Sequence, residues 1–186
     1  LYADNESVLC DYEEALEVLN GASDTKGSVS LQQGNIYNNS NYAGYDKKTA
    51  YECYEKAAHN GNAYGMFQKG SMLIDDRNTF YNLREGVKEL EKSIQLGKEP
   101  RYPGDTKQPE FVAAHIKLAG LYLNKNYEVY NVELAEQHLK EALGDIQHRL
   151  QKKYTRKTER DISSLESIYL NLGKCALEKD DPQTAK

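Results

Sequence analysis

Between residues 29 and 63 the chain reads VSLQQGNIYNNSNYAGYDKKTAYECYEKAAHNGNA. Its small and apolar positions fall into two helical stripes separated by a polar stretch. Gly34 and Tyr37 are one helical turn apart and share a face. Ala50, Tyr54, Ala57 and Ala58 follow the i, i+4, i+7, i+8 pattern of a buried stripe, and their small members let a second helix come close. Asp46 stands where a side-chain oxygen can cap the second helix. Gly61 stands where that helix must stop, because glycine enters the left-handed region without steric cost. Between the helices, NNSNYAG is rich in turn formers. The pattern predicts helices over 28–37 and 47–60.

The landmarks recur. A shift of 36 carries Gly34, Tyr37, Ala50, Tyr54, Lys56 and Gly61 onto Gly70, Leu73, Gly86, Leu90, Lys92 and Gly97. A further shift of 49 carries Gly70, Leu73, Gly86, Leu90 and Ser93 onto Ala119, Tyr122, Ala135, Leu139 and Ala142. The spacing of 16 from the small residue of one helix to that of the next is kept each time (34 to 50, 70 to 86, 119 to 135). The insert KEPRYPGDTKQP takes up the extra length of the second shift. Self-similarity at such periods marks a helical solenoid, whose units bury their stripes only by stacking.

The rest of the chain continues the pattern. Residues 5–20 place Val8, Tyr12, Ala15, Leu16 and Leu19 on one stripe, stopped at Gly21, and read as the second helix of a preceding unit. Further helices are predicted over 63–74, 83–96, 109–124, 132–154 and 162–178. Pro109 suits a first helical turn. In 132–154 the stripe is read as Leu134, Leu139, Leu143, Ile146 and Leu150, and in 162–178 as Leu165, Ile168, Tyr169, Leu172 and Gly173. Ser163 and Ser164, with Glu166 behind them, read as the start of that last helix. Asp181-Pro182 reads as the start of another, so the chain is expected to be a fragment of a longer one.

A Gly-x-x-Tyr helix, a long turn, an Asp cap and then A-x-x-x-Y-x-K-A-A-x-x-G resembles the Sel-one-like repeat, a longer-looped relative of the tetratricopeptide repeat. The match is close over 29–63 and covers roughly 28–186. It departs in the turn, where Ser40 and Tyr42 replace glycines, and in the second unit, where LEKSIQLG replaces the Y-x-K-A-A-x-x-G run. The expected fold is an all-α, right-handed α-solenoid of stacked antiparallel helix pairs. The expected organisation is a partial repeat and linker (1–27), repeats at 28–62 and 63–98, a loop insert (99–108), a third repeat with a basic extension (109–160) and a partial fourth repeat (161–186).

Composition narrows the functional classes. The net charge of −5 over 186 residues argues against nucleic acid as a partner. No apolar run approaches the length that spans a bilayer. Cys10, Cys53 and Cys175 are far apart and form no CxxC, so neither a zinc site nor a disulfide framework is expected. Fifteen tyrosines and no tryptophan fit packing in which a ring buries and its hydroxyl stays wet. His138 and Glu141 stand i, i+3 as in helical di-metal sites, but the second such pair and the further acids are missing. GNAYG follows no strand, so it is not read as a phosphate loop. Asn5-Glu6-Ser7 and Asn38-Asn39-Ser40 are glycosylation triplets that matter only on a eukaryotic secretory route. The cluster Arg149, Lys152, Lys153, Arg156, Lys157 and Arg160 is either a site for an acidic partner or a solvated face.

No set of acids, bases or ligands converges on a catalytic site, and no cofactor is expected. The resemblance implies a non-catalytic scaffold or adaptor that binds a protein or peptide and can enter a larger complex. The alternatives are a scaffold component of an exopolysaccharide secretion complex, or an accessory domain of a larger enzyme. In related solenoids the first helix of each unit lines the concave side; carried over here, that face holds Asn35, Asn38, Tyr64, Phe67, Ser71 and Lys174. Family frequency favours an exported bacterial protein, against the cytoplasm or the endoplasmic reticulum lumen.

Overall fold

The computed structural model describes residues 12–97, 109–151 and 158–180. They form eight α-helices: α1 (Tyr12–Asn20), α2 (Ser28–Tyr37), α3 (Lys47–His59), α4 (Ala63–Leu73), α5 (Leu83–Gly97), α6 (Pro109–Tyr122), α7 (Val132–Leu150) and α8 (Glu159–Asp180). No strand occurs among the described residues. The fold class is therefore the all-α helical repeat that the spacing predicts. Two compact units, Leu1–Gly86 and Val87–Lys186, divide the chain within α5.

In the first unit α3 packs against both α2 and α4. Its stripe is the predicted one: Ala50, Tyr54, Ala57 and Ala58 are all buried. Tyr54 fits because Gly34 on α2 has no side chain; a Cβ there would stand 2.6 Å from the Tyr54 ring. Ala57 is pressed from two sides. A Cβ on Gly27, just before α2, would lie 2.6 Å from its carbonyl oxygen, and one on Gly65 of α4 would lie 2.6 Å from its Cβ. The α3–α4 link turns at Gly61, whose φ of 77° is the left-handed conformation that glycine adopts without strain. Tyr37, Tyr51, Leu31 and Phe80 close the edges of the cluster formed by Ala50, Tyr54 and Met72. Tyr51 and Phe80 stack with ring centroids 4.5 Å apart.

One polar group crosses this unit. Lys69 of α4 is buried, and its Nζ lies 3.1 Å from Glu55 of α3 and 3.3 Å from Glu85 in the first turn of α5. Burial works against its charge, but the two carboxylates outweigh that and hold its pKa above the ordinary lysine value.

In the second unit α6 packs on α7, and α8 packs on both. Phe111 of α6 lies over Gly97 of α5, where a Cβ would run into the ring. The α7 stripe differs from the sequence reading. The buried residues are Val132, Ala135, Leu139, Ala142 and Ile146, whereas Leu134 is exposed and Leu143 and Leu150 are half-buried. The true stripe is phased on alanines. The start of α8 is also earlier than read. Thr158, not Ser163 or Ser164, precedes it, and Thr158 and Asp161 form a reciprocal cap: Thr158 N–H and Oγ1 donate to Asp161 Oδ2 (2.8 and 2.7 Å), and Asp161 N–H donates to Thr158 Oγ1 (3.3 Å). Ile168 and Cys175 are buried on α8, but Tyr169 and Gly173 face solvent.

Candidate partner-binding surface

The turn between the helices of each pair is built three times from the same bonds. The residue nine past the end position of the first helix closes the loop. Asp46 N–H donates to Tyr37 O (3.0 Å), Asn82 N–H to Leu73 O (2.9 Å) and Asn131 N–H to Tyr122 O (2.8 Å). The same three residues cap the second helices. Asp46 Oδ1 accepts from Lys48 N–H (2.9 Å), Asn82 Oδ1 from Glu85 N–H (3.1 Å) and Asn131 Oδ1 from Leu134 N–H (2.9 Å). Near the start of each turn, Asn39, Asp75 and Asn124 accept through Oδ1 from the backbone N–H two residues on. The sequence reading found only the Asp46 cap. Bonds from Thr49 and the Lys48 N–H hold the Asp46 carboxyl below its ordinary range.

This framework sets which side chains of α2 and α4 are exposed. Asn35 on α2 and Asn38, the residue just past its end, are exposed. Asn35 is not wholly available to a partner, since its Oδ1 accepts from the Tyr54 hydroxyl at 3.1 Å. Burial pushes that hydroxyl up to about 12. On α4, Tyr64, Phe67 and Ser71 stand at i, i+3 and i+7 and are half-buried. The Ser71 Oγ is enclosed and makes no hydrogen bond among the described residues. Lys174 belongs to α8 in the second unit, where it is exposed and donates to Asn171 Oδ1 (3.2 Å).

The basic cluster is reduced at its first member. Arg149 pairs with Asp161, which is buried beneath it, and so ties the end of α7 to the start of α8. Arg160 is exposed. Lys152, Lys153, Arg156 and Lys157 lie outside the described residues.

The His138–Glu141 spacing acquires a third group that sequence separation hid. His115 of α6 is buried, with Nδ1 2.8 Å from His138 Nδ1 and Nε2 3.6 Å from Glu141 Oε2. One ring donates and the other accepts between the two Nδ1 atoms. Tyr122 stacks on His138, and its hydroxyl donates to Glu91 (3.0 Å). Among the described residues no group of three His, Cys, Asp or Glu is arranged to hold a metal ion. The cluster joins α6 to α7. Cys53 is half-buried and Cys175 buried; both are free thiols, pushed up by burial.

No helix is long and apolar enough, among the described residues, to cross a membrane. No protein-family model matches the chain, and no curated protein matches it. Among solved structures it is similar to the Sel1 repeat protein from Oxalobacter formigenes, with a TM-score of 0.57 over 94% of this chain and 76% of that one, at 12% sequence identity. The likeness expected from the repeat landmarks thus holds at the level of the fold: the chain is folded as a Sel1-type helical repeat protein.

Proposed function

We propose that the chain is a non-catalytic scaffold that binds a protein or peptide through the exposed sides of α2 and α4. The observation that carries this reading is the α4 stripe. Tyr64, Phe67 and Ser71 line one side of a helix whose other side is packed on α3. Half-exposed aromatic rings along one side of a helix suit a partner that supplies an apolar group. Asn38, just past the end of α2, adds an exposed residue whose side chain reaches the Tyr54 hydroxyl. The Sel1-type fold supports the reading in general, since helical repeats present extended surfaces rather than closed pockets.

The test is affinity capture followed by mass spectrometry with the wild-type chain and with Phe67→Glu and Asn38→Ala. A specific partner retained by the wild type and lost by both variants, with their helical circular dichroism intact, supports the scaffold. A partner bound equally by all three contradicts this surface.

A further inference from the structure

The pair Asn-Gly occurs at Asn20-Gly21 and again at Asn60-Gly61. Glycine has no side chain to shield its own backbone nitrogen, so an asparagine before it readily closes on that nitrogen. Both asparagines are exposed, and both stand at the end of a helix, α1 and α3. The fold separates them by what their side chains bind. Asn20 accepts through Oδ1 from Gln33 Nε2 (2.8 Å). Asn60 does the opposite: its Nδ2 donates to Asp24 Oδ2 (3.2 Å).

Asp24 anchors the start of α2. Its Oδ1 accepts from the backbone N–H groups of Val29 (2.9 Å) and Ser30 (3.1 Å), and its Oδ2 accepts from Ser30 Oγ. Asn60 therefore ties the end of α3 to the start of α2, with Lys56 Nζ 4.0 Å from the same carboxylate.

We propose that Asn60 is a site of spontaneous deamidation and that its product breaks this tie. The Gly61 backbone nitrogen, having lost its proton, attacks Asn60 Cγ. The new N–C bond closes a succinimide ring, the Cγ–Nδ2 bond breaks, and ammonia leaves. Water opens the ring at either carbonyl and leaves aspartate or isoaspartate at 60. One water enters and one ammonia leaves. Aspartate there turns a donor to Asp24 into a second carboxylate facing it, and the like charges repel. Lys56, one turn earlier on α3, offsets part of that repulsion. Isoaspartate also adds a methylene to the main chain, in a turn held by Gly61 N–H to Ala58 O and Asn62 N–H to Ala57 O (both 3.0 Å). Aspartate at 20 still accepts from Gln33, so the same chemistry there costs little. The closed turn restrains the reaction at 60, because Gly61 N–H is bound to Ala58 O and the Asn60 amide to Asp24. Deamidation thus follows local opening of the turn.

Peptide mapping by mass spectrometry over a time course in mildly alkaline buffer reads the modification. Conversion at Asn60 is expected, faster at higher pH and faster in urea. Urea unfolding of Asn60→Asp reads the consequence. Its unfolding constant is expected to rise about tenfold, against about twofold for Asn20→Asp. Asp24→Asn combined with Asn60→Asp exchanges donor and acceptor and is expected to restore most of the loss. An Asn60 that stays intact over the time course overturns the proposal. So does an Asn60→Asp chain as stable as Asn20→Asp, or a double variant no more stable than Asn60→Asp alone.

Discussion

The α2–α3 pair and the α6–α7 pair share a turn but not an interior. In both, the residue nine beyond the end of the first helix closes the loop and caps the second helix. Inside, the first pair sets a glycine against a tyrosine, Gly34 against Tyr54. At the corresponding positions of the other pair stand Ala119 and Leu139, both fully buried. One pair takes the larger ring and gives up the methyl group; the other keeps the methyl group and takes the smaller side chain. The difference teaches that these two pairs keep the spacing of the contact and its combined volume, while the residues themselves trade. The polar layer trades in the same way. Tyr54 sends its hydroxyl to Asn35 at the surface, whereas the α6–α7 pair places His115 and His138 in contact between its helices.

The harshest way to break this comparison is Tyr54→Ala, which empties the space that Gly34 leaves. It is expected to cost about 3–5 kcal/mol in urea or thermal unfolding. Leu139→Ala should cost about 2–5 kcal/mol at the matching place. Next come the shared caps. Asp46→Ala, Asn82→Ala and Asn131→Ala should each cost about 1 kcal/mol, of similar size because the three turns are alike. A large spread among them would show that the turns are not equivalent.

Smaller and opposite in sign is the effect of filling helical glycines that touch nothing. Cβ atoms on Gly120 of α6 and Gly144 of α7 would meet no atom within 4 Å. Gly120→Ala and Gly144→Ala should each raise stability by about 0.5–1 kcal/mol, unlike the same change at Gly34. The smallest effect concerns Glu136 of α7. Lys140 at 2.7 Å and Lys179 of α8 hold its carboxyl down at about 2. A depressed carboxylate contributes stability that is fully present above its unfolded value of about 4.3 and is lost as pH falls towards about 2. Glu136→Gln should therefore flatten the acid limb of a pH–stability curve. The flattening should shrink in high salt, since both lysines are exposed and Glu136 is only half-buried.

Much of the fold was legible because its signal is spacing. The interval of 16 between small residues located three helix pairs, and α2 begins and ends where the pattern placed it. What was misread had a weak or displaced signal. The α7 stripe runs partly on Ala135 and Ala142, whose small side chains carry little hydropathy, so the leucines at 134, 143 and 150 drew the stripe off phase. The α8 cap was missed because Thr158 and Asp161 sit beside the basic run, which drew attention as charge rather than as a helix start. The Asn39, Asp75 and Asn124 turn residues were present at shifts of 36 and 49, the same shifts that revealed the repeat, but they change identity between Asn and Asp. The contact between His115 and His138, like the bridge from Lys69 to Glu55 and Glu85, joins separate helices and has no local signature. Of the proposed surface, the sequence pattern places Tyr64, Phe67 and Ser71 on one side of α4 and Asn35 on α2, but gives no sign that Asn35 is engaged by Tyr54.

The central claim, that paired volumes rather than residue identities hold the α2–α3 and α6–α7 pairs, is tested most directly by a double-mutant cycle on Gly34 and Tyr54, read by urea denaturation. Gly34→Ala alone should cost about 1–3 kcal/mol, because its methyl group meets the ring. Combined with Tyr54→Leu it recreates the pair at Ala119 and Leu139, and the double variant should be more stable than the sum of the two single losses by about 0.5–3 kcal/mol. Losses that simply add would contradict the account.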